Sequence, residues 1–339
     1  MDNNKDNKED SKSEKPEYKP TDRSTEKPVE ESPETNDAKP KEDFKPSAPV
    51  KKPKSKTKEF FDALLFAALV AFFLKIFFIE AYRIPTGSME NTLQVGDFLL
   101  VNKFIYGATT PRNIPFTDIR IPYLHIPGFK EPKKGDVVVF DFPGNRDELQ
   151  PREVVNYIKR LVAEPGDTIQ IVNQTVYING QIFENPPNAI FNPQKSGNLS
   201  LNSADPRIFP KGSGWNEENY GPIRVPRKGD MIALNSDNFE GWKTFIVREG
   251  HTPRLASDKK VFIDEKETIE YKVEHDYYFM MGDHRNNSLD SRFWGFMPKE
   301  NVVGEALLIY WSWNAEIPFS EFTELVKTIR WNRIATLIR

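Results

Sequence analysis

Three short stretches of this chain carry side chains able to do nucleophilic chemistry. Arg83-Ile84-Pro85-Thr86-Gly87-Ser88-Met89 offers a serine in a turn, and Tyr157-Ile158-Lys159-Arg160 offers a lysine among apolar neighbours. A third block, Gly282-Asp283-His284-Arg285-Asn286-Asn287-Ser288-Leu289-Asp290-Ser291-Arg292, holds more polar groups than one turn needs. A serine hydroxyl is a weak nucleophile at neutral pH and needs a base, and a lysine can be that base only as the neutral amine. Burial supplies this state, because desolvation disfavours the ammonium and can lower a lysine pKa by several units. Strand alternation puts Tyr157, Lys159 and Leu161 on one face, so the lysine shares its face with apolar groups. Ser88 is therefore the candidate nucleophile and Lys159 the candidate base.

The elements that must position these groups begin with the apolar run Phe60 to Ile79, which ends just before the serine block. It is about 20 residues long, which at about 1.5 Å per residue spans the roughly 30 Å hydrocarbon core of a bilayer. Asp62 and Lys75 lie near its two ends, where their side chains can snorkel to the interfaces. Lys51, Lys52, Lys54, Lys56 and Lys58 precede it, and by the positive-inside rule this puts the amino terminus in the cytoplasm and all beyond Ile79 outside it. Residues 1–58 are rich in Pro, Glu, Lys, Ser and Thr and too poor in apolar groups to offset chain entropy, so a disordered tail is expected. A tail of that length ahead of the run argues for a retained anchor, since a cleaved signal has only a short charged region before its apolar core. The expected organisation is a cytoplasmic tail at 1–58, a transmembrane helix at 59–80, an extracytoplasmic catalytic domain at 81–318 and an amphipathic segment at 319–339.

Beyond Glu80, short apolar runs punctuated by Gly, Pro, Asn and Asp predict a mainly β domain. Asp97–Phe104, Asp136–Phe142, Val155–Ala163 and Val302–Trp311 read as strands, and Thr168–Val172 with Thr175–Ile178 as a hairpin followed by a turn at Asn179-Gly180. Two insertions are expected. Phe183–Tyr220, rich in Pro and Asn, reads as surface, and residues 225–275 as an accessory β subdomain. Lys134-Gly135-Asp136 and Lys228-Gly229-Asp230 each lead into a strand, which favours repeated use of one turn over duplication of a functional unit. The stretch from Phe319 to Arg339 mixes Ile and Leu with Lys327, Arg330, Arg333 and Arg339, and packs either on the protein or on a membrane surface.

Composition narrows the chemistry. At about 100 to 200 residues per domain, 339 residues allow one large or two modest domains. A formal charge of -3 argues against a chain built to coat nucleic acid, and the absence of cysteine excludes disulfides, zinc–thiolate sites and thiol nucleophiles. No His-Glu-x-x-His pattern is present, so no metal or cofactor is expected.

In their order along the chain the three blocks resemble the type I signal peptidase (leader peptidase) family, membrane-bound serine proteases of peptidase family S26 with a Ser/Lys dyad. The resemblance covers roughly Phe60 to Ser312, less the two insertions. The family's nucleophile motif looks like Ser-Gly-Ser-Met-x-Pro-Thr-Leu, and here it reads Thr86-Gly87-Ser88-Met89-Glu90-Asn91-Thr92-Leu93. This implies Ser88 as nucleophile, with the Thr86 hydroxyl beside the Ser88 amide as oxyanion hole, and a turn loosened where Asn91 replaces proline. Tyr-Ile-Lys-Arg is matched at Tyr157 to Arg160, which implies Lys159 as general base. The third motif usually reads Gly-Asp-Asn-Arg-Asp-Asn-Ser-x-Asp-Ser-Arg, from which His284 and Asn286 depart. It implies that Ser288 faces the site and supports the lysine, while Asp283, Arg285, Asp290 and Arg292 form a structural network.

The resemblance further implies cleavage of exported preproteins after Ala-x-Ala-like sites, small side chains entering shallow apolar pockets. Ile84, Pro85, Met89, Leu93, Tyr157 and Ile158 match pocket-lining positions. It implies a single-pass protein of the plasma (inner) membrane: one transmembrane helix, then an antiparallel β-rich catalytic domain with an inserted β subdomain. Its partners would be signal-peptide-bearing preproteins, the lipid bilayer and the nearby export translocon, without nucleic acid. A site close to the bilayer suits a substrate whose own apolar segment lies in the membrane, since proximity then replaces binding affinity. Two other readings stay open. One is a Ser-His-Asp triad using Ser88 with His125, His251, His275 or His284; the other is a non-enzymatic membrane-anchored β module.

Overall fold

A computed structural model describes residues 56–109, 125–149, 151, 153, 155–191 and 203–339. The expected tail lies outside the described residues as far as position 55. The first element is helix α1, Lys56–Phe77, a run rich in Ala, Leu and Phe with neither Gly nor Pro to break it. Its apolar side chains, including Phe60, Leu65, Phe66 and Phe73, are exposed on every side. Lys56, Lys58, Glu59 and Asp62 fall in its first turns and Lys75 in its last, and among the described residues no helix is long and apolar enough to cross a membrane.

The serine and lysine blocks are held by one antiparallel sheet of eight strands. These are β1 (Ile79–Arg83), β2 (Asp97–Asn102), β3 (Val137–Asp141), β4 (Asn156–Ala163), β5 (Tyr277–Met281), β6 (Met297–Pro298), β7 (Val302–Ser312) and β8 (Thr336–Leu337). The order is β1-β2-β7-β3-β4-β5-β6, with β8 added on β7. β7 is the long central strand, its first residues pairing with β3 and the rest with β2, and its register shifts three times along the way. Such bulges bend and twist a strand, which lets one strand serve two halves of a curved sheet.

The unbroken apolar run Val137-Val138-Val139-Phe140 explains why β3 sits mid-sheet, because both of its faces are covered. Val137 and Val139 pack with Met89, Leu93, Leu99 and Ile309 on one side. Val138 and Phe140 pack with Leu161, Tyr278, Met280 and Trp294 on the other.

A smaller sheet follows β4, in the order Tyr220–Arg224, Thr168–Val172, Thr175–Ile178, Gln181–Ile182. The Thr168–Ile178 hairpin pairs Val172 with Thr175 and Ile169 with Ile178, and the residues of its two-residue turn at Asn173-Gln174 and of the next at Asn179-Gly180 all take positive φ, as the right-handed strand twist requires. The Gly-Asp echo is one turn used four times. Gly96, Gly135, Gly166 and Gly229 all have φ between 88° and 97°, and the following Asp97, Asp136, Asp167 and Asp230 each accept a backbone N–H from three residues earlier. A positive φ next to a self-capping aspartate is a local solution to starting a strand, without duplication of a functional unit.

The insertions differ from expectation. Phe183–Tyr220 is not merely surface: Ile208 and Phe209 are 1% and 5% exposed, and Phe209 stands edge-on to Phe296 and Trp242. Residues 192–202 lie outside the described residues. Residues 225–275 carry short strands, as expected, but also helix α2, Phe239–Arg248, whose Phe239, Phe245 and Ile246 enter the same core as Val162 and Phe279 of the main sheet. The carboxyl-terminal stretch is not one helix. It breaks into a turn at Phe319–Glu321, a six-residue helix at Phe322–Lys327, a turn at Trp331–Arg333 and then β8. Arg333 closes on buried Asp97 at 2.6 Å, which ties this stretch to the start of β2.

Candidate functional site

Ser88 lies in a three-residue 3-10 turn, Gly87–Met89, between β1 and β2. Thr86 before it is extended, and Glu90 after it returns to extended backbone, so the turn is a single tight projection from the sheet. Asn91 then takes φ 70°, a conformation closed to the proline of the motif pattern. The substitution therefore does not loosen a proline turn; it builds a left-handed one that asparagine tolerates.

Lys159 comes from the middle of β4 and meets this projection: Nζ and Ser88 Oγ are 2.7 Å apart, hydrogen-bond distance, though 71 residues separate them in sequence. Both are nearly enclosed, Ser88 at 8% and Lys159 at 4% exposure. The lysine's strand neighbours on its own face, Tyr157 and Leu161, belong to the apolar cluster around Phe140 and Trp294, and the Tyr157 ring centroid is 5.4 Å from Nζ. Nζ also donates to the Ile158 carbonyl at 3.1 Å. Burial pushes the Lys159 amine down to about 8, against an opposing pull from the carboxylates of Asp290 and Asp283. A hydroxyl beside a lysine that loses its proton near neutrality is an arrangement able to form an alkoxide and attack an acyl carbon.

The third block arrives from the end of β5 and is organised by two buried ion pairs. Arg160, next to the lysine but on the other face of β4, grips Asp283 with Nε to Oδ1 at 2.8 Å and Nη2 to Oδ2 at 2.6 Å. Thr92 donates its hydroxyl to Asp283 Oδ2 at 2.6 Å, so the serine turn and the lysine strand share one carboxylate. Arg292 grips Asp290 in the same two-pronged way, Nε to Oδ1 and Nη2 to Oδ2 both at 2.8 Å. Burial alone would raise the Asp290 carboxyl, but the Arg292 guanidinium, the Gly282 amide and the Ser288 hydroxyl together outweigh it and hold it below the usual carboxylate range. Asp290 also caps helix α3, Ser291–Trp294, and accepts the Gly282 amide at 3.1 Å.

Arg285 enters this network by its backbone rather than its charge. Its carbonyl accepts from Arg292 Nη2 at 2.7 Å, while its buried guanidinium makes no hydrogen bond among the described residues and lies 5.7 Å from the Phe191 ring. Burial pushes that guanidinium down to about 10. Arg160 and Thr92 are further members of the network that nothing local in the chain pairs with Asp283.

A cleft of about 510 Å³ opens above the serine and lysine. Pro85, Thr86, Tyr157, Ile158 and Ser288 line it. Ile84, Met89 and Leu93 do not. They are at most 3% exposed and packed with Leu99 and Val101 behind the serine turn, because they point into the sheet's apolar layer. Thr86 is exposed and its side chain makes no capping hydrogen bond, while Ser288 Oγ is buried at the cleft on the side of Asp290 and does not hydrogen-bond to Nζ of Lys159. Leu289 and Phe293 also line the cleft, and residues 203–219 reach it with Arg207 and Glu217.

The histidines are committed elsewhere. His284 Nδ1 is 3.2 Å from Glu90 Oε2, His251 sits between Asp264 and Glu274, and His275 faces Glu300. The side chain of His125 lies outside the described residues. No described histidine side chain hydrogen-bonds to Ser88.

Against known proteins, residues 57–311 match the family described as signal peptidase, peptidase S26. A signal peptidase I of Buchnera aphidicola subsp. Acyrthosiphon pisum (strain APS) is 33% identical over 297 residues, covering 84% of this chain and 84% of that one. A signal peptidase I of Haemophilus influenzae is 31% identical over 308 residues, covering 81% of this chain and 77% of that one. Among solved structures, a signal peptidase I from Enterococcus faecalis V583 shares 19% identity over 52% of this chain and 97% of that one. Its TM-score of 0.25 is too low to support an argument about the fold.

Proposed function

This chain belongs to the signal peptidase family S26, and from that membership we propose a serine endopeptidase that removes signal peptides from preproteins, with Ser88 as nucleophile and Lys159 as general base. The observation that carries the assignment of roles is the 2.7 Å approach of Lys159 Nζ to Ser88 Oγ inside an apolar enclosure.

In the proposed reaction neutral Lys159 takes the Ser88 proton as Oγ attacks the scissile carbonyl carbon. The Ser88 amide and the Thr86 hydroxyl stabilise the oxyanion. The ammonium then returns its proton to the departing amine, which leaves an acyl-enzyme. Water, deprotonated by the same lysine, attacks that ester and frees Ser88. Ser288 orients the lysine once substrate covers the cleft. Pro85, Tyr157 and Ile158 bound the apolar pockets, with Ile84, Met89 and Leu93 fixing their depth from behind, which suits small residues before the cut, as in Ala-x-Ala.

The proposed single span is the apolar run Phe60 to Ile79, which helix α1 covers as far as Phe77. A helix with apolar side chains exposed on every side is costly in water and at home in hydrocarbon. Lys56, Lys58 and Glu59 would lie in the headgroup layer, with Asp62 and Lys75 snorkelling from the ends of the run that continues in sequence to Ile79. The basic residues before it put the tail in the cytoplasm and the catalytic domain outside, beside the export translocon.

The test is cleavage of a labelled preprotein by the purified protein in detergent, wild type beside Lys159→Ala. Loss of the shortened product with the variant is the expected result; equal cleavage by both would remove Lys159 from the mechanism. For topology, protease added outside spheroplasts should digest the catalytic domain and spare the tail, and protection of the whole chain would reverse the orientation.

A further inference from the structure

Two residues that the motif pattern leaves unspecified, or from which it departs, meet beside the nucleophile. Glu90 lies two positions after Ser88, and His284 lies in the polar block where the pattern has asparagine. His284 Nδ1 and Glu90 Oε2 are 3.2 Å apart, and the His284 backbone N–H donates to the Ser88 carbonyl at 3.1 Å. One residue thus holds the serine by its main chain and the end of the serine turn by its side chain.

The turn is short enough for this to matter. It has one 3-10 turn and leaves through Glu90 and left-handed Asn91, so little of its own backbone bonding fixes the direction of Ser88 Oγ. Its inner side is pinned by buried contacts, the Asp283 amide to Met89 Sδ at 3.4 Å and the Thr92 hydroxyl to Asp283 at 2.6 Å. Both lie on the core side. On the solvent side the tie is the Glu90–His284 contact, with the histidine side chain 19% and the glutamate 50% exposed. Reacting groups must be held to within about 0.5 Å, and a displacement of about 1 Å is enough to cost orders of magnitude in rate.

We propose that Glu90 and His284 are positioning residues, an outer clasp that holds the Ser88 turn in register with Lys159. The proposal rests on the Ser/Lys reading above. A polar contact this exposed adds little to global stability, so the clasp should be read in turnover and not in the melting temperature.

The experiment uses the full chain in detergent with a labelled preprotein, comparing Glu90→Ala, His284→Ala, the double variant and Glu90→Gln. The expected result is that each alanine variant lowers kcat about fivefold to tenfold while KM stays within about twofold, with an unchanged melting temperature. The double variant should be no worse than the weaker single, because the two residues act as one unit. Glu90→Gln, which keeps an oxygen to accept the imidazole N–H, should recover most of the activity. Losses that multiply in the double variant, an unchanged kcat, or a fall in kcat that tracks a fall in melting temperature would each overturn the clasp. Wild type that is folded yet inert would overturn the Ser/Lys reading and the clasp with it. Active wild type with indifferent alanine variants would overturn the clasp alone.

Discussion

Arg160 and Asp283 form a two-pronged ion pair one residue along the strand from Lys159, at 2.8 and 2.6 Å, with both side chains under 5% exposed. Because Arg160 points to the opposite face of β4 from the lysine, the pair anchors the strand without placing a positive charge beside Nζ. The carboxylate also receives Thr92 from the serine turn. One buried charge thus joins all three blocks.

Asp283→Asn should destabilise the protein by about 3 to 5 kcal/mol, because it leaves a buried guanidinium without its counter-charge. Arg160→Lys should fare little better, since a single ammonium cannot reproduce two parallel hydrogen bonds. Thermal unfolding in detergent measures both, and a loss below about 1 kcal/mol in either would mean that the pair is not the anchor described.

Activity should rise with pH through about 8, where Lys159 loses its proton. Below that value each unit of pH should lower kcat/KM about tenfold. Stability follows the opposite penalty. The folded amine titrates at about 8 and the unfolded one near 10.5, so the unfolded chain holds the extra proton between these values and wild-type stability rises with pH across that window. Lys159→Met should therefore stabilise the fold below pH 8, by on the order of 3 kcal/mol, and lose that advantage above about 10.5. A pH–rate profile with its acid limb near pH 6 would point to a histidine instead.

Gly282→Ala should abolish most activity. An added Cβ would stand 2.3 Å from Ser288 Oγ and 2.5 Å from the Ser88 carbonyl oxygen, and backbone at that distance has to move. The expected outcome is a fall in kcat of about a hundredfold, since a shift of about 1 Å at the nucleophile suffices. Turnover near that of wild type would show that the turn has more slack than its contacts indicate.

Ser88→Ala and Lys159→Ala should each remove most of the same activity, and the double variant should be little worse than either single. Lys159→Arg should fail as badly as alanine, because a guanidinium with a pKa above about 12 stays charged. Ser88→Cys should keep a trace, since a thiol ionises at about 8.5. Preprotein cleavage by Lys159→Arg at a rate near wild type, together with inactivity of His284→Ala, would return the triad reading to first place.

The juxtaposition of Ser88 and Lys159 was legible from the conjunction of three blocks: a turn-marked serine and a lysine on the apolar face of a strand are weak signals singly, and the dense polar block beyond them gives them weight. The long-range pairing of Arg160 with Asp283 was not, since nothing near either residue names its partner 123 positions away. Apolar character at Ile84, Met89 and Leu93 is visible in sequence, but which side of a cavity wall an apolar residue faces depends on how the sheet curves. Phe239, Trp242, Phe245 and Ile246 have helical spacing, yet Gly241 among them and turn residues on either side favour a β reading. Four of the eight strands of the main sheet, β2, β3, β4 and β7, were legible within two residues because continuous apolar runs such as Val137–Phe140 can be satisfied only between two covered faces, whereas β1, β5, β6 and β8 were not.

Phe239 and Phe245 of the inserted segment pack in one core with Val162 of the lysine strand and Phe279 of the strand beside it. An appendage that shares its interior with the catalytic sheet is not a detachable module. Cutting it out would bare the back of the lysine strand to water, so the two should gain and lose structure in a single cooperative event. The segment's length is free to drift in its loops, but its aromatic residues are bound by the same packing that covers Val162 of the lysine strand.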